Sequence, residues 1–161
     1  MRYLGIGRHG ATNFVAGTQE RRLSFEGQED LRSLSRQLKS IVGDDVVVIT
    51  SDQTHAMQSG RILANELKAE LRHFFELSSR DTSIPVNVPR ALELIRSFDK
   101  NGAVTIETHA EYCNELPCHF VTDDMKGREF LNRTIQKGCM LFFDFELKII
   151  RYLECESQQA R

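Results

Sequence analysis

Tryptophan is absent from this sequence, cysteine is scarce, and no apolar run approaches the ~18 residues that a membrane-spanning helix requires. No transmembrane segment is therefore expected. Cys113, Cys118, Cys139 and Cys155 follow no spacing that would staple a small core, so free thiols in a reducing cytoplasm are the expectation. Met1-Arg2-Tyr3 leads straight into a glycine-rich motif, without the apolar stretch of a secretory signal. Net charge is small as well, at -2 with a pI near 6.2. That balance gives no global electrostatic argument for nucleic acid or an anionic membrane, and neither is expected as a partner. A local basic pocket is still compatible with it.

What is present is the composition of an ordinary globular chain, 40% hydrophobic and 27% charged over 161 residues. The length suits one domain with a sizeable core. No repeat, low-complexity tract or linker divides it, so residues 1–161 are read as a single domain.

The chain is organised around Gly5-Ile6-Gly7-Arg8-His9-Gly10, a strand end diluted by glycine. Glycine weakens a strand and marks close approach by another backbone or a ligand. An Arg-His-Gly triplet in such a place has no obvious packing purpose. Arg8 offers a planar fork of donors that matches two phosphate oxygens, and His9 is a candidate nucleophile for phosphoryl groups.

Residues 2–7 read as a strand and 11–23 as a polar loop. Ser24 is a plausible N-cap, with Glu26 in the first turn. Leu31, Leu34, Leu38 and Ile41 then mark an amphipathic helix ending near Gly43. Val46-Val47-Val48-Ile49 is a continuous β-branched run, which suits a central strand covered on both faces. A helix carrying Ala56, Gly60, Leu63 and Leu67 on one stripe is predicted to run to about Phe74. Residues 78–85 read as a loop, Val86–Val88 as a short strand, and Pro89 as the opening of a helix through Phe98. Ala103–Ile106 is a third good strand, followed by His109 and a short helix stopped near Pro117. Residues 122–137 are charged and read as partly helical. Cys139–Phe145 and Lys148–Leu153 read as a hairpin turning at Glu146-Leu147. Strands alternating with helices predict an α/β fold with a mostly parallel sheet.

In open α/β sheets, ligands bind beyond the carboxyl ends of the strands. Three of the five histidines sit just past predicted strand ends: His9, His55 and His109. His73 and His119 do not share that placement and receive no role.

Gly7-Arg8-His9-Gly10-Ala11-Thr12 resembles the signature of the histidine phosphatase superfamily, whose fold is phosphoglycerate mutase-like. Leu23-Ser24-Phe25-Glu26-Gly27-Gln28 resembles the family's Leu-Thr-x-x-Gly-x-x-Gln helix start. Thr50-Ser51-x-x-x-His55-Ala56-x-Gln58-Ser59 resembles its Ser-Ser-x-x-x-Arg-Ala-x-Gln-Thr segment. Val104–His109 resembles the strand that delivers the second catalytic histidine, and Gly138–Tyr152 the closing strands. These segments occur in the family's order over nearly the whole chain. By length the chain is most similar to the small phosphohistidine phosphatase branch.

The resemblance implies a three-layer sandwich with helices on both faces of the sheet. It implies that His9 forms a phosphohistidine that water hydrolyses, with Arg8, His55 and His109 holding phosphate oxygens. It implies no cofactor and no metal, because cationic side chains carry the charge. Glu93, after the Val86–Val88 segment, is the first candidate for general acid, with Glu107 and Asp52 behind it. The implied partner is a phosphorylated small molecule or phosphoprotein, and the protein is a monomer or homodimer.

Two departures weigh against full activity. The family's second arginine falls at His55, which has fewer donors. Arg61 is six residues further along the same helix and points elsewhere. The family's frequent tryptophan-asparagine pair is Phe14-Val15 here, leaving Asn13 as a possible stand-in for the asparagine. The competing readings are a phosphate-binding or regulatory module without turnover, and a zinc site from His109, Cys113, Cys118 and His119. The spacing of that quartet does not match the usual zinc pairings, and adjacent Cys118 and His119 cannot readily face one ion. The Arg21-Arg22 pair could line the pocket mouth.

Overall fold

The computed structural model describes residues 1–79, 84–127 and 134–155. Strand β1 (Tyr3–Arg8) runs into a small hairpin of β2 (Thr12–Phe14) and β3 (Arg21–Leu23). Helix α1 (Phe25–Val42), strand β4 (Val46–Ser51), helix α2 (Thr54–Leu67) and strand β5 (Glu70–Phe74) follow. Helix α3 (Ile84–Arg96), strand β6 (Ala103–Thr108) and helix α4 (Ala110–His119) lead to the closing hairpin of β7 (Met140–Asp144) and β8 (Ile149–Leu153).

Six strands form one sheet in the order β5-β4-β6-β1-β7-β8. The first four in that order are mutually parallel, and β7 and β8 run antiparallel at one end. Alternation along β4 explains why it reads as an unbroken apolar run. Val47 and Ile49 join Leu4, Ile6, Val104 and Ile106 under α3 and α4. Val46 and Val48 join Met140 and Phe142 under α1 and α2. Both faces are covered, so Val46–Ile49 is apolar on both sides of the strand. The result is the three-layer α/β arrangement expected.

Four local readings need correction. Residues 11–23 are not simply a loop: Thr12–Phe14 pairs with Arg21–Leu23 around a turn in which Gly17 takes φ 75°. Its exposed, polar strands carry no buried stripe to reveal them. Helix α2 stops at Leu67, not near Phe74, because Lys68 turns left-handed at φ 55° and its N–H satisfies the last turn. Residues 70–74 then pair with β4 as an edge strand. A glycine cap would have marked this stop; lysine does not.

The Val86–Val88 segment is helical, within an α3 that starts at Ile84 and contains Pro89. Val88, Ala91, Leu92 and Ile95 form one buried stripe, and that burial outweighs the backbone bond Pro89 cannot make. Pro117 likewise lies inside α4, which continues as a π-helical turn over Phe120–Asp124. Within the remaining charged stretch, residues 128–133 lie outside the described residues, as do 80–83 of the predicted loop. Among the described residues, no helix is long and apolar enough to cross a membrane.

Candidate active site

The carboxyl ends of β1, β4 and β6 open onto one cleft of about 300 Å³. Arg8, His9, His55 and His109 line it, so segments one hundred residues apart converge. The three imidazoles touch. Ring centroids of His9 and His55 are 4.3 Å apart, those of His55 and His109 5.2 Å, and those of His9 and His109 5.5 Å. All three are buried.

The residues around the motif explain its spacing. At the end of β1, His9 N–H donates to the Thr108 carbonyl (3.1 Å), and the Arg8 carbonyl accepts from Gly138 N–H (2.9 Å). Gly10 N–H donates to Ser59 Oγ (3.2 Å), whose hydroxyl donates in turn to the His55 carbonyl (2.9 Å). Ser59 thus stitches the end of β1 to the first turn of α2. A side chain at Gly10 would place Cβ 2.7 Å from the Gly27 carbonyl oxygen, so α1 can approach only a glycine here. Ser24 caps α1 through Gly27 N–H (3.0 Å) and bonds the Ala11 carbonyl (3.2 Å). Gln58 accepts from Leu23 N–H (2.9 Å), fixing β3 against α2.

His9 Nδ1 lies 2.9 Å from the Gly10 carbonyl oxygen. Since a carbonyl can only accept, Nδ1 carries the proton and Nε2 keeps its lone pair. Burial pushes the imidazole down to about 4, against the opposing pull of the Gly10 hydrogen bond and with help from the charges of His55, Lys137 and Arg8. Neutral His9 is what a nucleophile needs. His109 is held by Ser51 Oγ, 2.8 Å from its Nε2. Arg8 Nε is buried without a hydrogen-bond partner among the described residues.

Two helices begin at this cleft. Gln53, Thr54 and His55 line it from the start of α2, and His109, Ala110 and Glu111 from the start of α4. Neither helix has a side-chain N-cap, in contrast to α1. First-turn N–H groups and the positive ends of both helix dipoles therefore face the opening, an arrangement suited to an anion.

Glu93 is not brought to the site. It is exposed on α3, whose stripe of apolar residues turns the carboxylate outward, and it does not line the cleft. Nor do Asp52 or Glu107; the latter is sealed under the sheet with its side chain fully buried. The carboxylates at the cleft are Glu20 and Glu111. Linear position hides them, because Glu20 arrives on the unrecognised hairpin. Arg21 does reach the rim and stacks over Phe14 at 4.6 Å, while Arg22 pairs with Glu20 instead (3.0 Å). Asn13 and Arg61 do not line the cleft, so neither stands in for the missing donors. Gln19, Gln53, Thr54 and Ser79 are polar cleft residues that the motif reading passed over, and Ser51 stood in a motif without a role. The proposed zinc quartet is not assembled: among the described residues, the group able to hold an ion is His9, His55 and His109.

A parallel-centred sheet in this strand order between two helix layers is the phosphoglycerate mutase-like fold that solved phosphatase structures share. Solved structures of similar shape span almost the whole chain. The protein histidine phosphatase SixA, complexed with tungstate, superposes at a TM-score of 0.68 with 13% identity, covering 98% of this chain and 99% of that one. The alpha-ribazole phosphatase from Shigella flexneri gives 0.66 at 16% identity, covering 94% and 96%. YhfR of Bacillus stearothermophilus gives 0.69 at 16% identity, covering 96% of each chain. By sequence, no family model matches the chain, and no curated protein matches it either.

Proposed function

We propose that the protein is a phosphatase that hydrolyses a phosphomonoester or phosphohistidine through a covalent intermediate on His9. The observation that carries this reading is the meeting of a neutral, buried His9 with Arg8 and His109 between two uncapped helix N-termini. The SixA structure of similar shape is complexed with tungstate, a tetrahedral oxyanion like phosphate, which supports an oxyanion ligand for this fold.

In the proposed reaction the Nε2 lone pair of His9 attacks phosphorus in line. The N–P bond forms as the bond to the leaving group breaks, and the leaving group takes a proton from a general acid. Glu111 replaces Glu93 in that role, since Glu20 is engaged by Arg22. Water then attacks the phosphohistidine, freeing phosphate and restoring His9. Arg8, His109 and the helix N-termini hold the equatorial oxygens as negative charge spreads over them. The chemistry calls for no metal or cofactor. The exposed rim residues Gln19, Arg21 and Glu111 suit a phosphorylated protein or bulky phosphoester acted on in the cytoplasm, by a monomer or homodimer.

One observation favours a second reading, a phosphate-binding module with weak or no turnover. His55 occupies the place where the resembling family has an arginine, and a lost transition-state donor commonly costs ~2.7–4 kcal/mol. Trapping with a small phosphodonor, quenched in detergent at alkaline pH, separates the two. The enzyme reading expects an alkali-stable, acid-labile phosphoenzyme that His9→Ala abolishes. Phosphate binding without any label selects the module.

A further inference from the structure

His55 does more than remove an arginine. It converts an anion site into one where three imidazoles face each other, and we infer that His9, His55 and His109 bind a single divalent transition-metal ion of the zinc class. One ring nitrogen from each residue lies within 4.8 Å of the other two. A tetrahedral ion with Zn–N bonds of ~2.0–2.1 Å needs nitrogens roughly 3.3–3.4 Å apart. Binding therefore calls for ring rotations that bring the nitrogens up to ~1.5 Å closer.

His9 and His55 are already held through their backbones, and His109 through its ring. Ser59 ties Gly10 to His55, the Thr108 carbonyl holds His9 N–H, and Ser51 meets His109. The partners of the rings also suit ligation. His9 gives its Nδ1 proton to the Gly10 carbonyl, which aims Nε2 inward, and a ligand histidine ordinarily donates its second N–H in this way. All three side chains are less than a tenth exposed. The ion's fourth position would open onto the cleft, whose charged lining is Arg8, Glu20, Arg21 and Glu111.

Three neutral nitrogen donors, with no carboxylate or thiolate among them, select zinc, cobalt, nickel or copper over magnesium or calcium. Occupancy depends on the imidazoles alone. A consequence that rests on the phosphatase reading is inhibition: the lone pair given to the ion is the one that would attack phosphorus, so metal and phosphoryl group exclude each other.

The test uses the full chain, stripped with a chelator and titrated with Co²⁺ while visible absorption is followed. One equivalent per chain with the strong bands of four-coordinate Co²⁺ is expected, displaced by Zn²⁺. His55→Arg and His109→Ala should each weaken binding by at least about 100-fold. His73→Ala and His119→Ala, which lie elsewhere, should leave it unchanged. His55→Gln and a far-UV dichroism check on every variant separate ligand loss from misfolding.

Absence of saturable binding overturns the inference. So does binding that survives His55→Arg, or a thiolate band removed by Cys139→Ser, since Cys139 and Cys155 form a buried sulfur pair at 3.8 Å. Aryl phosphate hydrolysis with and without one equivalent of Zn²⁺ reads the phosphatase independently. A protein that binds Co²⁺ but never turns over retains the metal site and loses the enzyme.

Discussion

Gly7 and Glu107 face each other across the pairing of β1 with β6, and a side chain at residue 7 would overlap the carboxyl oxygen Oε1. Neither oxygen of Glu107 has a hydrogen-bond partner among the described residues. The strand glycine therefore makes room for a sealed acid near the carboxyl end of β6.

That acid should leave a pH signature in stability. Burial pushes Glu107 up to about 8, from 4.5 when unfolded. The folded state thus holds a proton that the unfolded chain has already lost. Its contribution is full below pH 4.5 and is lost progressively as pH rises to about 8, a change on the order of a few kcal/mol. Denaturant midpoints for wild type and Glu107→Gln across this range should diverge, with the variant gaining in relative terms toward high pH. Parallel curves would dispose of the idea.

Gly7→Ala should destabilise the protein by about 1–3 kcal/mol, because the added methyl meets Glu107 and Met140. If crowding is the cause, Glu107→Ala in the same chain should recover part of the loss. A double-mutant cycle in urea measures that coupling; strict additivity would place the strain elsewhere.

Ser51→Ala removes the hydroxyl beside His109 Nε2. Stability should fall by about 1–3 kcal/mol if the imidazole is left without that partner. On the phosphatase reading kcat should drop more than KM changes, since His109 acts on the developing charge. Equal kcat in wild type and variant would show that the ring is oriented by other contacts.

His9 titrates at about 4, so its neutral form should persist throughout pH 5–8. Its folded value lies below the ordinary 6.5, so the stability it contributes is present above that and lost as pH falls toward 4. The ring proton shifts of His9, assigned by comparison with His9→Ala, should stay flat from pH 8 to 5 and move only below. A midpoint near 6.5 would mean that the site is wet.

His55→Arg should act in opposite directions on the two ligands. Hydrolysis of an aryl phosphate between pH 5 and 8 should rise by roughly a hundredfold or more, as a fixed donor is restored. Metal affinity should fall in the same protein. An inert wild type awakened by this single change would favour the inactive-relative reading.

Local pattern alone was enough for the β-branched run of β4, the α1 stripe ending at Gly43, and the glycine-flanked strand end that carries Arg8 and His9. These depend on neighbours within one or two turns, so periodicity and capping chemistry reveal them. The end of α2 at Lys68 and the helical Val86–Val88 segment escape such reasoning, because pairing with β4 and burial of the α3 stripe outweigh residue preference there. The sequence also places His55 and His109 after strands, but not beside each other.

Only the tertiary structure decided that the three rings touch, that Glu20 and Glu111 rather than Glu93 reach the cleft, and that Glu107 is sealed beneath it. The physical reason is that contact, desolvation and proton affinity are set by atoms contributed from distant parts of the chain. The residues themselves name the chemistry, and the packing of the sheet between its helices selects which of them can perform it.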